Sequence, residues 1–185
     1  MVGSMNSRTL RSVLRGATSG LHDRLDAAMG ADFADPVAYA RFLNIQYLAR
    51  APIEAWLSNH ADPADSPPPM TPLIAEDLAS LGWPAPVAAG GFDMPPGADP
   101  IGAAWALAGS HLGNRAMLAG LNRRDVHIPT AFLADRTMIE YWRQFLPRLQ
   151  ADVTEQQSQA AINAANAVFK RFIDTVSDAG RQLAA

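Results

Sequence analysis

The sequence predicts a single all-α domain. Apolar residues recur at three- and four-residue spacing through most segments, Asp-Pro pairs stand where helices would begin, and no stretch keeps a period-two alternation for long. A length of 185 residues suits one domain with a sizeable core, and no internal repeat breaks it up. Hydrophobic residues at 49% against charged residues at 18% mark a chain that folds rather than one that stays disordered. The domain is expected to cover residues 5–185. Met1, Val2, Gly3 and Ser4 read as a cloning remnant, with Met5 as the natural start.

The first helix is expected from about Thr9 to Met29. Leu10, Val13, Leu14, Ala17, Leu21, Leu25 and Ala28 form its apolar stripe, and Gly30 closes it. Asp35-Pro36 supplies an N-cap and first helical position for a second helix, kinked at Pro52 because proline lacks the N–H that would bond the preceding turn. Ser58 to Pro69 is a loop. Thr71-Pro72 opens a short helix ending near Gly82, and Trp83 to Gly97 is a Pro/Gly-rich connection. Asp99-Pro100 starts a helix to about Leu121. Another covers roughly Thr137 to Gln150, with Pro147 near its end. Thr154 and Gln157 form a capping box for the last, which runs through Val176.

Several function classes are excluded. With no cysteine there is no disulfide, zinc thiolate or Fe–S cluster. No apolar run approaches the roughly 20 residues of a membrane span, and the N-terminus lacks a charged-then-apolar signal. The expected location is therefore cytoplasmic. A net charge of −3 gives no general attraction to nucleic acid or to an anionic membrane. There is no Glu-x-x-His pair, nucleophile elbow, phosphate loop or zinc spacing.

Two helices carry candidate chemistry. On the first, Arg15, Thr18, His22 and Asp26 follow at spacings of three and four, so they form one polar strip. A neutral imidazole is a good ligand for haem iron, a carboxylate one turn on could polarise its other nitrogen, and an arginine two turns back could meet a propionate. A plain solvated face is the alternative. The helix from Pro100 contains Gly102, Gly109, Gly113 and Gly120, although each interior glycine costs about 1 kcal/mol relative to alanine. Gly109 and Gly113, four apart, clear one face for a flat group or for a neighbouring helix. His111 is a second possible iron ligand, or a histidine merely accommodated beside the glycines. Arg115, Arg123, Arg124, Arg136, Arg143 and Arg148 could serve an acidic small molecule or simply the surface. Phe169 and Phe172 could pack on a ring edge or in the core.

These segments resemble a known family. Leu14-Arg15-Gly16-Ala17-Thr18-Ser19-Gly20-Leu21-His22-Asp23-Arg24-Leu25-Asp26 is similar to the proximal helix of haem oxygenases, with a basic residue, Ala-Thr, a histidine and an acidic residue four later. Ala103 to Met117, containing Ala-Gly-Ser-His-Leu-Gly-Asn-Arg, resembles their distal helix. Trp142-Arg143-Gln144-Phe145-Leu146 followed by Leu149 resembles a block of the bacterial branch associated with bacteriophytochromes. The order and spacing of the three blocks agree with that family over most of the chain.

The resemblance implies the haem oxygenase helical fold, with haem b between the first helix and the glycine helix as both cofactor and substrate. It implies oxidative cleavage at a meso carbon, with O2 as co-substrate, to biliverdin, CO and Fe²⁺. His22 would ligate the iron with Asp26 behind it and Arg15 on a propionate. Thr18, Arg143 and Phe169 complete the candidate haem contacts, and Gly109, Ser110, Gly113 and Asn114 are the candidate catalytic wall. Implied partners are an electron donor such as ferredoxin or a flavin reductase, and a bacteriophytochrome receiving biliverdin. Two departures from the family pattern bear on rate and on the choice of meso carbon: Asn114 stands where a second glycine is usual, and Ala108 where the bacterial branch often has glutamate. The competing readings are a non-catalytic haem-binding sensor or carrier, with His111 as a second iron ligand, and a helical regulatory module with no cofactor.

Overall fold

A computed structural model describes residues 8–29, 33–88 and 90–184. The expected remnant at residues 1–4, the start at Met5 and the closing glycine at Gly30 lie outside them. Among the described residues the fold is all-helical: α1 (Leu10–Met29), α2 (Pro36–His60), a 3-10 turn (Pro63–Asp65), α3 (Thr71–Ser80), α4 (Pro100–Arg123), α5 (Ala131–Ala134), α6 (Thr137–Leu149) and α7 (Glu155–Ala184). One isolated antiparallel bridge, Thr9 to Asp152, ties the start of α1 to the α6–α7 turn. No helix of the described chain is long and apolar enough to cross a membrane.

The expected caps are in place. The Asp35 carboxylate accepts from Val37 N and Ala38 N, and Asp99 accepts from Ile101 N. Thr154 and Gln157 exchange bonds reciprocally at the start of α7. Each such cap supplies orphan helix N–H groups with an acceptor, worth typically about 1 kcal/mol. Helix α2 runs through Pro52 without a break. Proline leaves the carbonyl four residues earlier, Leu48, without its helical donor. Arg171 of α7 donates to that carbonyl at 3.3 Å.

Helix α7 packs along both α1 and α4, and α2 lies against α3 and α7. One part of the core joins Leu14, Ile53, Leu57, Leu107, Val168 and Phe172; the other joins Tyr39, Leu43, Ile74, Leu78, Phe132 and Met138. The α4–α7 contact explains one of the glycines. A Cβ on Gly102 would lie 1.8 Å from the Ala161 carbonyl oxygen, so only glycine permits this approach. Gly102→Ala should destabilise the fold by at least the roughly 1–3 kcal/mol typical of overpacking, seen as a lower urea midpoint.

Two expectations need correction. The buried line of α1 is not the stripe expected: Ala17 and Ala28 are exposed, while Thr18 is buried between Leu14 and the partly buried Leu21. Spacings of four, four, three and four (10, 14, 18, 21, 25) keep one face, and the Thr18 hydroxyl is satisfied inside the helix by donating to Leu14 O at 2.9 Å. The polar strip therefore begins at the edge of the core. The short α5 is the second correction, because no helix was expected there. It is held from outside itself by buried Asp77, whose carboxylate accepts from Ala131 N and Phe132 N at 2.8 and 2.9 Å.

Candidate functional site

A cleft of about 410 Å³ lies between α1 and α4, within the roughly 300–1,000 Å³ usual for small-molecule sites. Helix α1 contributes Arg11, Arg15, Thr18, Ser19, His22 and Asp23. Helix α4 faces it with Trp105, Ala106, Gly109, Ser110 and Leu112, and Trp142 of α6 and Phe169 of α7 close the remaining sides. Positions 11, 15, 18 and 22 share a wall because their spacings of four, three and four bring them to one side of a 3.6-residue helix.

His22 is the cleft's one histidine. Its Nδ1 lies 3.1 Å from Asp26 Oδ2, and its ring meets buried Phe169 edge-on at 6.2 Å. Both partners of the ion pair are more than half exposed, so the contact contributes little to stability. Its consequence is orientation: with Nδ1 engaged, Nε2 is the nitrogen left for a ligand.

The opposite wall is thin at Gly109. A Cβ built there meets only Trp142, at 3.9 Å, and one on Gly113 meets nothing within 4 Å. Neither glycine is required by helix packing, unlike Gly102. Ser110 donates to Leu107 O at 2.8 Å and accepts from Arg50 Nη2 at 2.8 Å. Arg50 is fully buried in α2, and its Nε donates to Gln46 at 3.0 Å. Burial pushes its pKa down and neighbouring Glu54 pulls it back up. A guanidinium starts high enough to remain charged near neutrality.

His111 and Asn114 do not face this cleft. The turn of 100° per residue puts His111 about 200° from Gly109 and Asn114 about 140° from it. Both are buried. His111 Nε2 lies 3.2 Å from Asp135 O, its Nδ1 lies 3.0 Å from Asn114 Nδ2, and Phe132 packs edge-on to the ring. One ring nitrogen donates to the carbonyl and the other accepts from the amide, which requires neutral imidazole, and burial pushes its pKa down accordingly. Of the two readings open for His111, the structure has the accommodated histidine rather than the second iron ligand, and the expectation of Asn114 as part of the catalytic wall is corrected: the two side chains satisfy each other on the far side of α4.

Other candidates also fall outside. Arg143 is exposed and only Trp142 of its block lines the cleft. Gly113 is exposed, one turn beyond Gly109, and is not part of the lining. Arg148 belongs to Asp65, at 2.7 Å. The cations that do line the cleft are Arg11 and Arg15, one turn apart. Arg11, Trp105 and Arg50 were not singled out in the sequence, although Arg11 and Trp105 each precede an identified residue by four. Gln46, Arg50 and Glu54 also stand at four-residue intervals along α2.

The donor set can be tested against haem. Among the described residues no group of three or more His, Cys, Asp or Glu could hold a metal ion. A single oriented imidazole suits an iron already held by its own macrocycle. Apolar walls from Trp105, Leu112, Trp142 and Phe169 suit a flat ring, and Arg11 and Arg15 suit carboxylates at one end. The residues present therefore fit the group. The chain matches no protein-family model, no curated protein and no solved structure.

Proposed function

We propose that this chain is a haem oxygenase that binds haem in the α1–α4 cleft, with His22 on the iron. One observation carries the reading: His22, oriented by Asp26 and Phe169, shares a cleft with a glycine wall that lies 87 residues further along the chain. Haem, when bound, supplies the iron that activates O2 and the meso carbon that is oxidised, giving biliverdin, CO and Fe²⁺.

The chain's own residues position and enclose. Arg11 and Arg15 bind the propionate end and fix the ring's rotation in its plane. Trp105, Leu112, Trp142 and Phe169 exclude water from the ring faces. Asp26 holds the His22 tautomer and raises the basicity of Nε2. Gly109, which carries no side chain into the cleft, would let a flat ring approach the α4 backbone. Ser110 presents an oxygen at the same wall. Ferredoxin or a flavin reductase is the proposed electron source, and a bacteriophytochrome the proposed recipient of biliverdin.

The carrier reading differs in having no turnover. Its bis-histidine form lacks a second ligand, since His111 is committed elsewhere. Titration of the purified chain with hemin tests the proposal. A saturable Soret band at one hemin per chain is expected; absence of saturable binding would overturn it.

A further inference from the structure

We infer that Arg50 is a positioning residue for the α4 wall of the cleft: it fixes Ser110 as a hydrogen-bond acceptor and gives that wall a positive end that favours small anions. The inference rests on the haem reading for its anion-binding test only. Ser110 lines the cleft, yet its hydroxyl proton is spent on Leu107 O and one lone pair takes Arg50 Nη2. What remains toward the cleft is a second lone pair. A hydroxyl held in this way accepts from a water or ligand and does not donate to it.

The charge behind it is buried and directional. Arg50 is 1% exposed and its Nη1 has no hydrogen-bond partner. Its nearest carboxylate, Glu54, stands 3.8 Å from Nη1. Glu54 is turned away to the start of α3, where it accepts from Met70 N, Thr71 N and the Thr71 hydroxyl. The pair is thus a buried dipole with its negative end on α3 and its positive end one hydroxyl from the cleft. Buried guanidinium is costly without full pairing, and only a small part of its hydrogen-bonding capacity is used within α2. In a low-dielectric setting such a charge acts across a few ångströms with little screening.

The test compares azide with neutral imidazole as ligands of the hemin-loaded chain, titrated by absorbance. Because Arg50→Gln alone would leave Glu54 unpaired and could unfold the chain, the charge is removed with Arg50→Met/Glu54→Gln, a neutral replacement of the buried pair. Azide affinity should fall about five- to tenfold, with imidazole affinity changed less than about twofold, because only the anion feels the lost charge. Ser110→Ala should leave azide affinity equal or higher, since it frees Arg50 Nη2 to face the cleft. In the hemin-free chain, slowly exchanging guanidinium protons of Arg50 should be visible by NMR and shift in Ser110→Ala.

Unchanged azide affinity in the pair variant would overturn the electrostatic role. A loss in Ser110→Ala equal to that in the pair variant would make Ser110 the donor and overturn the acceptor assignment. Guanidinium protons that exchange fast and ignore Ser110→Ala would overturn the link itself without any haem. Failure of the parent to bind hemin would sink the haem reading and the anion role with it, while the NMR result still decides the link.

Discussion

His22→Ala should abolish the imidazole-ligated spectrum of the hemin complex and weaken hemin binding more than the roughly 10–100-fold typical of losing an outer-shell partner. The effect follows from the cleft containing one histidine, held with Nε2 available by the Asp26 contact and the Phe169 ring edge. The fold should be little affected, because His22 is exposed and its ion pair contributes little to stability. Added imidazole should restore the spectrum by entering the space the side chain leaves. Asp26→Asn should give a milder form of the same change, since an amide can still hold the ring but cannot polarise it as strongly. An unaltered Soret band and affinity in His22→Ala would show that the iron is held elsewhere.

Gly109→Leu should exclude hemin, lowering affinity by about tenfold or more, while helix content by circular dichroism stays near that of the parent. A Cβ at position 109 meets only Trp142, at an ordinary 3.9 Å, so alanine there fits the protein itself. The larger side chain must project into the cleft that haem would occupy, and packed sites resist such additions by about 1–3 kcal/mol. Gly113→Leu is the control: position 113 is exposed, outside the lining, and should respond less. Equal hemin affinity in Gly109→Leu and the parent would remove Gly109 from the site. Stability should rank the other way for Gly102, where α7 backbone leaves no room for any Cβ.

The caps of α2, α4 and α7 were legible because their signals are local: an aspartate before a proline, or a threonine three residues before a glutamine. The strip of Arg15, Thr18, His22 and Asp26 was legible for the same reason, since helix geometry alone puts it on one side. Which of its members belongs to the core was not. Thr18 stands in the line of Leu10, Leu14, Leu21 and Leu25 that faces the core, its hydroxyl is satisfied there by the carbonyl four residues back, and nothing in the residue type announces that choice. Helix α5 could not be read because its donors are satisfied by Asp77, more than fifty residues earlier. The same limit hid Arg50, whose partner Ser110 is sixty residues away.

His111 and His22 differ first by helix geometry, since two residues at 100° each put His111 about 200° from Gly109. What sequence could not supply is what receives His111 there: the Asp135 carbonyl and the edge-on Phe132 ring. Asn114, the departure that suggested impaired turnover, has its amide committed to His111. Asn114→Gly therefore removes a buried partner of His111 and has no direct route to the cleft.

The most direct measurement of the central claim is reduction of the hemin-loaded chain by ascorbate or a ferredoxin system under air, with catalase present, followed by absorbance and CO detection. Decay of the Soret band with matching appearance of biliverdin and CO is the expected result. A haem spectrum that persists under reductant and O2, with neither bilin nor CO formed, would contradict the oxygenase assignment and leave a haem-binding protein without turnover.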